Sequence, residues 1–324
     1  HSLFAFLGEM LVPTLFALVV VAGLAFLLSR LLTRHIMKPI DALDMAEPLD
    51  NDIYGEMVPL LQRIDDQQAQ LKKQNKELAE AESMRRDFSS NVSHEMKTPL
   101  QVISGYAELM KNDMVLPEDR QKFAGLIYDE AQAMRGLIND VLTLSKLDES
   151  AFAREERPID VTAVARRMAG RLESFAADEG VSISVKGPSA HINGSETLAE
   201  EMLYNLIENA VRYNHAGGSV SVRVSQGVAS NDILESLRAA GAEPNVASVV
   251  TVRVSDTGAG IPEEMRDKVF ERFFRLDKSR SKETGGTGLG LAIVKHAVQY
   301  HHGTICVEGA SGQGTTFVLR LPAA

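Results

Sequence analysis

The chain has 324 residues, with 34 lysines and arginines against 44 aspartates and glutamates, and its formal net charge is −10. This length allows two or three domains, and the acidic balance argues against direct binding of nucleic acid, which usually requires a basic face. The single cysteine, Cys306, excludes a disulfide framework and a cysteine-based zinc ribbon. Because the first residue is His1 rather than Met, we expect a processed or cut chain with further sequence upstream.

The first element along the chain is an apolar run. Residues 10–28 carry no charged side chain, and nineteen residues in a helix span about 28 Å, close to the roughly 30 Å of a hydrocarbon core. Glu9 precedes the run, whereas Arg30, Arg34 and Lys38 follow it, which is the positive-inside pattern. We predict a transmembrane helix over 10–29, in contact with membrane lipid, after an extracytoplasmic remnant over 1–9. A signal-peptide core and a buried helix are the alternatives.

A polar helical segment follows the apolar run. Pro39 ends the first helix, and from about Glu56 to Asp87 the sequence is rich in Gln, Lys and Glu. Ile64, Leu71 and Leu78 are spaced by seven, as in the seam of a coiled coil. A helix this polar is not stable alone. The pattern therefore favours a self-paired homodimer over a single exposed helix.

Two further helical runs form a hairpin. Residues 88–113 and 118–147 both have apolar positions at helical spacing, and Pro117 separates them. Two such hairpins, one from each of two chains, would form a four-helix bundle. We predict this all-α unit over 71–150.

The first of these helices carries a histidine in the segment SHEMKTPL, residues 93–100. His94 and Glu95 are adjacent, so they point about 100° apart, yet both can be exposed with the carboxylate reaching the imidazole. Pro99 should bend the helix just beyond them. A zinc-protease helix is excluded because Thr98 stands where the second histidine would be. On its own, an inert surface histidine would be the favoured interpretation.

The remainder, from about residue 159, mixes strands and helices. We predict strands near 181–186, 219–225, 249–255, 303–308 and 314–321, and helices near 161–178, 196–213 and 288–301. This pattern indicates an α/β domain, which we place over 151–324.

The predicted helix near 196–213 ends in NLIENAVRYN, residues 205–214. Asn205, Glu208, Asn209 and Arg212 recur at spacings of three and four, and so line one helical face. Amides with one carboxylate suit a magnesium ion that bridges phosphates. A polar solvated face is the alternative.

Two glycine-containing loops follow. In VSDTGAGIP, residues 254–262, a strand ends at Asp256, whose carboxylate can accept a hydrogen bond from an exocyclic amine such as that of adenine. In GGTGLGLAIVK, residues 285–295, glycines lead into a helix start and offer free N–H groups to phosphate. The second loop is neither a P-loop nor a Rossmann fingerprint. Either stretch alone could be an ordinary turn.

Between these two loops lies VFERFFRLDKSRSKETGG, residues 269–286. Its aromatic residues Phe270, Phe273 and Phe274 are clustered in the sequence, and Lys278 and Arg280 in the polar, basic run that follows could meet phosphate charge. We interpret the segment as a mobile lid, although an ordinary surface loop fits the pattern too.

Taken in order, SHEMKTPL, NLIENAVRY, DTGAGIP, FERFFR and GTGLGLAIV resemble the H, N, G1, F and G2 boxes of bacterial sensor histidine kinases. The resemblance implies a multidomain chain: an N-terminal transmembrane helix, an all-α dimeric hairpin for dimerisation and phosphotransfer, and an α/β two-layer sandwich of the Bergerat ATP-binding fold. It further implies location in the bacterial inner membrane with the catalytic part in the cytoplasm. The segment 30–70 is then similar to a HAMP linker, although it is shorter than usual.

The resemblance also assigns roles. His94 would take the γ-phosphoryl group of ATP with the help of Glu95, Thr98 would orient water for the reverse dephosphorylation, and an aspartate of a response regulator receiver domain would accept the phosphoryl group. Asn209 would bind Mg²⁺. The residues implied in binding ATP are Asn205, Asn209, Arg212, Tyr213, Asp256, Gly258, Gly260, Lys278, Arg280, Gly286, Thr287, Gly288, Leu289 and Gly290.

Two positions depart from related proteins. Gyrase-type ATPases of this fold usually have a Glu at the position of Asn205, so the amide favours phosphoryl transfer over ATP hydrolysis, and the common Lys is Arg212 here. Residues 226–248 form an insert with a predicted helix over Asn231–Ala240. The rival hypotheses are an ATPase of the same fold, against which His94 and Glu95 argue, and a non-catalytic membrane scaffold, which would have lost Asn209 or Asp256.

Overall fold

The computed structural model describes residues 2–34, 58–148, 157–243, 248–276, 286–309 and 312–324. The chain divides into two compact units, His1–Arg86 and Asp87–Ala324, which are treated separately below. Residues 35–57 of the HAMP-like segment, together with Lys278, Arg280 and Gly285, lie outside the described residues.

The first unit begins with helix α1 (Ser2–Leu32), which contains Pro13. Its stretch Pro13–Leu32 has a mean hydropathy of 2.5, and none of it is buried in the structure. Large side chains such as Phe16 and Phe26 are about two-thirds exposed. By length and composition this helix can cross a membrane, and its exposure differs from that of a buried core helix.

Helix α2 (Val58–Lys111) starts in the first unit and is continuous through Pro99. On its N-terminal part the side chains of Leu71 and Leu78 are 57% and 67% exposed. The heptad positions are therefore open to a partner helix.

The second unit starts with the predicted hairpin. After α2, a 3₁₀ turn at Pro117–Asp119 leads into α3 (Arg120–Asp148). Asp113 adopts φ 51°, where the chain reverses, and Arg120 forms an ion pair with its carboxylate at 2.7 Å. Tyr106 and Phe123 pack edge to face across the hairpin, with ring centroids 5.2 Å apart.

The α/β domain follows. Its strands are β1 (Arg157–Asp160), β2 (Ser182–Lys186), β3 (His191–Gly194), β4 (Ser219–Val228), β5 (Ser248–Asp256), β6 (Thr304–Gly309) and β7 (Thr315–Pro322). Its helices are α4 (Val161–Arg171), α5 (Glu173–Asp178), α6 (Glu196–Arg212), α7 (Asn231–Ala239) and α8 (Gly290–Tyr300). Short 3₁₀ turns lie at Glu263–Met265 and Lys268–Phe270.

Five of these strands form one sheet in the order β2-β4-β5-β7-β6. Strands β2 and β4 are parallel, whereas the other neighbours are antiparallel. Alternate residues of the central strands, Val222 and Val252 among them, are fully buried together with Leu203 and Leu206 of α6. Helices therefore cover one face of the sheet, and the predicted order of a helical hairpin followed by an α/β domain is confirmed.

Two short strands were not predicted from the sequence. Strands β1 and β3 have four residues each and form a separate antiparallel pair. The predicted helix of the insert is present as α7, and its Leu237 is fully buried beside Ala229 and Val249. This small apolar cluster fixes α7 at the end of the β4–β5 hairpin.

Candidate active site

A cavity of about 640 Å³ opens where β5 ends. Its walls include the C-terminal end of α6, the loop after β5, and the segment around and after the turn at Lys268–Phe270, together with residues of α8 and β7. Its lining includes Asn209, Tyr213, Asn214, His215, Asp256, Thr257, Gly258, Gly260, Phe274 and Arg275. The volume is in the range of small-molecule sites.

Asp256 is the last residue of β5 and contributes a carboxylate to the cavity wall. Its Oδ1 accepts hydrogen bonds from the backbone N–H of Gly258 at 2.8 Å and of Thr315 at 3.1 Å. Partial burial raises the pKa of Asp256 above its usual range, and these hydrogen bonds oppose that rise. The carboxyl group is therefore held in one orientation as a hydrogen-bond acceptor.

The loop after β5 lies directly against the end of α6. A Cβ on Gly258 would come within 2.4 Å of the carbonyl oxygen of Tyr213, so only glycine fits there. Gly260 has φ +74°, which also favours glycine. Both predicted glycines thus shape the cavity through the backbone.

The predicted polar face of α6 divides among three environments. Asn209 lines the cavity, and so does Tyr213 just beyond the helix end. Asn205 is buried, and its amide donates to the carbonyl of Glu201 at 2.8 Å. Arg212 is paired with Glu208 at 2.6 Å, and its guanidinium lies over the Phe175 ring.

The glycine-rich loop meets α6 and the aromatic segment. A Cβ on Gly290 would lie 2.5 Å from Oδ1 of Asn205, and one on Gly286 would lie 3.2 Å from the Tyr213 hydroxyl. Gly288 has φ +72° and accepts a backbone hydrogen bond from Phe273 at 2.9 Å. Glycine is required at Gly288 both by its φ and by this close approach.

Two predicted residues of this loop face the helical hairpin instead of the cavity. The hydroxyl of Thr287 donates to Oδ2 of Asp140 at 2.7 Å and accepts from the backbone N–H of Leu289 at 3.2 Å. The side chain of Leu289 is fully buried beside Leu137 and Leu144 of α3. Only the backbone of Leu289 is therefore available to a nucleotide.

The three aromatic residues that lie close together in this segment of the sequence have separate neighbours. Phe270 packs edge to face on Phe317 of the sheet, Phe273 lies 5.8 Å from the ring of Phe88 in α2, and Phe274 lines the cavity. The segment therefore contacts the sheet, the helical hairpin and the cavity through three different rings.

The histidine motif lies on an exposed face of the hairpin. The side chain of His94 is 80% exposed and that of Glu95 39% exposed, with 3.9 Å between Nδ1 and Oε1. Thr98, one turn on, is also exposed, and its hydroxyl lies 3.4 Å from the carbonyl oxygen of His94. The imidazole is thus open to a reaction partner, with a carboxylate close to its Nδ1.

Sequence reasoning missed two charged residues of the site. Arg275 lines the cavity, and its Nη2 is 3.8 Å from Oε2 of Glu95. Asp140 on α3 meets Thr287, as described above. The basic residue that ends FERFFR could have been noticed in the sequence, whereas Asp140 gives no local signal.

Two family models match the chain. Residues 84–150 match the model described as the His Kinase A (phospho-acceptor) domain. Residues 194–324 match the one described as histidine kinase-, DNA gyrase B-, and HSP90-like ATPase.

Curated relatives match over the same region. The chain is 35% identical over 247 residues to the sensor-like histidine kinase SenX3 of Mycolicibacterium smegmatis, which covers 76% of this chain and 59% of the relative. It is 32% identical over 247 residues to the sensor protein kinase WalK of Staphylococcus aureus, covering 76% and 55%. The chain thus spans between about half and three-fifths of the length of these relatives.

Solved structures give a similar result. Full-length ShkA in complex with AMPPNP is 29% identical with a TM-score of 0.50, over 72% of this chain and 45% of that one. The histidine kinase ThkA in complex with the response regulator protein TrrA is 20% identical with a TM-score of 0.55, over 78% and 66%. The likeness to ThkA concerns the fold alone.

Proposed function

The chain belongs to the sensor histidine kinases of two-component systems, and from that premise we propose that it is a membrane-anchored protein-histidine kinase. It transfers the γ-phosphoryl group of ATP to His94 and then passes that group to an aspartate of a response regulator. The observation that carries this proposal is the combination, in one chain, of an exposed His94–Glu95 pair with a cavity that contains Asp256.

The residues that line the cavity favour an adenine nucleotide as the substrate. The fixed carboxylate of Asp256 accepts a hydrogen bond from the exocyclic amine of adenine, and Tyr213 on the facing wall offers an aromatic ring to the base. The glycine-rich loop, through Gly286, Gly288 and Gly290, brings backbone N–H groups at the start of α8 towards phosphate. Lys278 and Arg280 lie outside the described residues, and we include them in the proposal from the sequence alone, as positive charges that could meet phosphate.

Mg²⁺ fits the donor set at the end of α6. Among the described residues there is no group of three or more His, Cys, Asp and Glu side chains that could hold a metal ion. Asn209 would hold such an ion through its amide oxygen, with phosphate and water as the remaining ligands, which is usual for Mg²⁺. The ion would supply positive charge to neutralise that of the phosphates. Asn205 lies one turn earlier and supports the start of α8.

The transfer step follows from the exposed imidazole. His94 attacks the γ-phosphorus with the lone pair of Nε2, the bond from that phosphorus to the β,γ-bridging oxygen breaks, and ADP leaves. Glu95 accepts the proton from Nδ1, which removes the positive charge that would otherwise develop on the ring. The 3.9 Å between Nδ1 and the carboxylate must shorten for this, and a side-chain rotation is sufficient because both groups are partly exposed.

The same exposed face supports exchange with a response regulator. The phosphoryl group on His94 is accessible to a receiver-domain aspartate without unfolding of the hairpin. Thr98 lies four residues further along α2 and so on the same side, where its hydroxyl can orient a water molecule for dephosphorylation of the regulator. We therefore include phosphatase activity in the proposal.

The domain arrangement is part of the proposal. Residues 10–29 span the inner membrane after an extracytoplasmic segment 1–9, and 30–70 form a HAMP-like linker. Residues 71–150 form the dimerisation and phosphotransfer domain, and 151–324 bind ATP in the cytoplasm. The apolar helix α1 and the exposed heptad positions of α2 support a membrane-bound homodimer, and the acidic net charge supports the absence of direct nucleic-acid binding.

The test is incubation of the detergent-solubilised chain with γ-labelled ATP and Mg²⁺. We expect wild type to gain an acid-labile, alkali-stable label, and His94→Gln to gain none. His191→Gln, which changes another exposed histidine, is the matched control and should be labelled like wild type. Equal labelling of wild type and His94→Gln would contradict the proposal.

A further inference from the structure

Two walls of the cavity are joined to each other by a ring of hydrogen bonds. One wall is the turn between α6 and β4, which contains Tyr213 and Asn214, and the other is the loop after β5, which contains Asp256 and Thr257. The side chains of Asn214 and Thr257 meet between them, with 3.1 Å from Oγ1 of Thr257 to Oδ1 of Asn214.

Asn214 uses both ends of its amide group. Its Nδ2 donates to the carbonyl oxygens of Ala210 at 3.2 Å and Ser219 at 3.3 Å. Its Oδ1 accepts from the backbone N–H of His215 at 3.0 Å as well as from the Thr257 hydroxyl. The side chain therefore ties the last turn of α6 to the first residue of β4 and to the facing loop.

Thr257 closes the ring. Its hydroxyl accepts from the backbone N–H of Ser219 at 2.9 Å while donating to Asn214, and its own N–H donates to the carbonyl of Ser219 at 3.2 Å. Gly218 makes room for this arrangement, since a Cβ there would lie 2.2 Å from Oδ1 of Asn214. Asn214 and Thr257 are thus each next in sequence to a residue that lines the cavity, and Ser219 lies at the end of the turn between α6 and β4.

We propose that Asn214 and Thr257 are positioning residues of the nucleotide site, and that their hydrogen-bonded ring sets the affinity for adenine nucleotide by fixing Tyr213 relative to Asp256. The proposal rests on the proposed function in taking an adenine nucleotide as the ligand. Asn214 adjoins Tyr213, and Thr257 lies between Asp256 and Gly258, so a shift of either side chain moves one wall against the other. A site whose walls are held before binding loses less conformational entropy when the ligand enters.

The experiment compares two substitutions of Thr257 in the full detergent-solubilised chain. Thr257→Val keeps the shape but removes the hydroxyl, whereas Thr257→Ser keeps the hydroxyl. We expect the Kd for AMPPNP with Mg²⁺ to rise about three- to tenfold in Thr257→Val, as for loss of one or two hydrogen bonds. Thr257→Ser should restore an affinity close to that of wild type.

Two further measurements separate positioning from a general structural role. The double variant Asn214→Ala with Thr257→Val should bind AMPPNP no more weakly than the weaker of the two single variants, because each substitution already opens the ring. In Thr257→Val, the rate of His94 labelling at saturating ATP should stay near that of wild type, while the ATP concentration that gives the half-maximal rate rises. Thr316→Val is the matched control, since it removes a similar 2.9 Å hydroxyl contact, to Ser255, between two side chains that are not among those lining the cavity.

The outcomes are distinct. If wild type binds AMPPNP but Thr257→Val binds it equally well, or if Thr257→Ser is as weak as Thr257→Val, or if Thr316→Val is equally weakened, the positioning role is wrong. If wild type itself binds no adenine nucleotide, the proposed function fails instead.

Discussion

Asp140 is a carboxylate that the structure places in an unfavourable environment. It lies on α3 and accepts a hydrogen bond from Thr287, while Glu201 and Glu208 of α6 add negative charge nearby. Burial is the main cause that raises the pKa of Asp140 to about 6, and the Thr287 hydroxyl opposes the rise. The folded protein therefore binds a proton at this residue more tightly than the unfolded chain, where an aspartate has a pKa of about 3.9.

The sign of the pH dependence follows. Between about pH 4 and 6 the folded state holds more protons at Asp140, so the free energy of unfolding falls as pH rises through that interval. The full effect is roughly 3 kcal/mol, at 1.36 kcal/mol per pKa unit. We expect Asp140→Asn, which still accepts from Thr287, to raise stability above pH 6 and to flatten the slope between pH 4 and 6 relative to wild type.

Thermal unfolding measured from pH 4 to 8 checks this expectation. Asp129→Asn, at an exposed position of the same helix, is the matched control and should leave the pH profile unchanged. A profile for Asp140→Asn that parallels that of wild type would show that Asp140 does not titrate in the buried contact.

At the scale of elements, α3 and the start of α8 share an apolar contact. Leu137 and Leu144 of α3 are buried with Leu289 and Ile293 from the glycine-rich loop and α8. Phe273 packs on the same side, where its positive φ of 62° is held by the hydrogen bond to Gly288. The loop that is proposed to meet phosphate is thus also the part of the α/β domain that docks on the hairpin. The proposed phosphate contact and the docking on the hairpin therefore involve one segment.

The apolar contact between α3 and the start of α8 should hold the first turn of α8 in place. Leu144→Ala removes a fully buried side chain of α3 that does not line the cavity, and such truncations cost about 2–5 kcal/mol. We expect faster hydrogen exchange at the first-turn amides of α8, while the Kd for AMPPNP changes little. Leu142→Ala, a neighbouring leucine that is 52% exposed, is the control. Unchanged exchange in Leu144→Ala would indicate that the contact does not hold α8.

Which parts of the site could be predicted depends on the range of the interactions involved. Asp256 and Gly258 were found because a strand end and a glycine turn leave local marks in sequence. The contact between Thr287 and Asp140 joins residues 147 positions apart, and nothing local specifies it. The ring through Asn214 and Thr257 likewise depends on how α6 meets β5. Strands β1 and β3 were missed because four residues are too few to show a period.

At the scale of the whole molecule, exposed apolar side chains mark two surfaces that a membrane or a second chain would cover. On α1 they extend over Pro13–Leu32, where a membrane would cover them. On α2, Leu71 and Leu78 are seven residues apart in a part of the helix that is mostly polar. Since the side chains around them are mainly charged or amide groups, a second copy of the helix is the simplest partner that would bury these leucines.

The proposed homodimer should therefore depend on this seam. Leu71→Lys combined with Leu78→Lys places like charges opposite one another in a paired coil and removes two apolar contacts. We expect the dissociation constant of the dimer to rise at least about tenfold, because each leucine contributes on the order of 1 kcal/mol or more to such a contact. Ala69→Lys with Ala79→Lys adds the same charge at exposed positions off the heptad and should leave the dimer intact. Light scattering of the detergent-solubilised chain over a dilution series measures both. If the two double variants dissociate alike, charge rather than the leucine seam controls assembly.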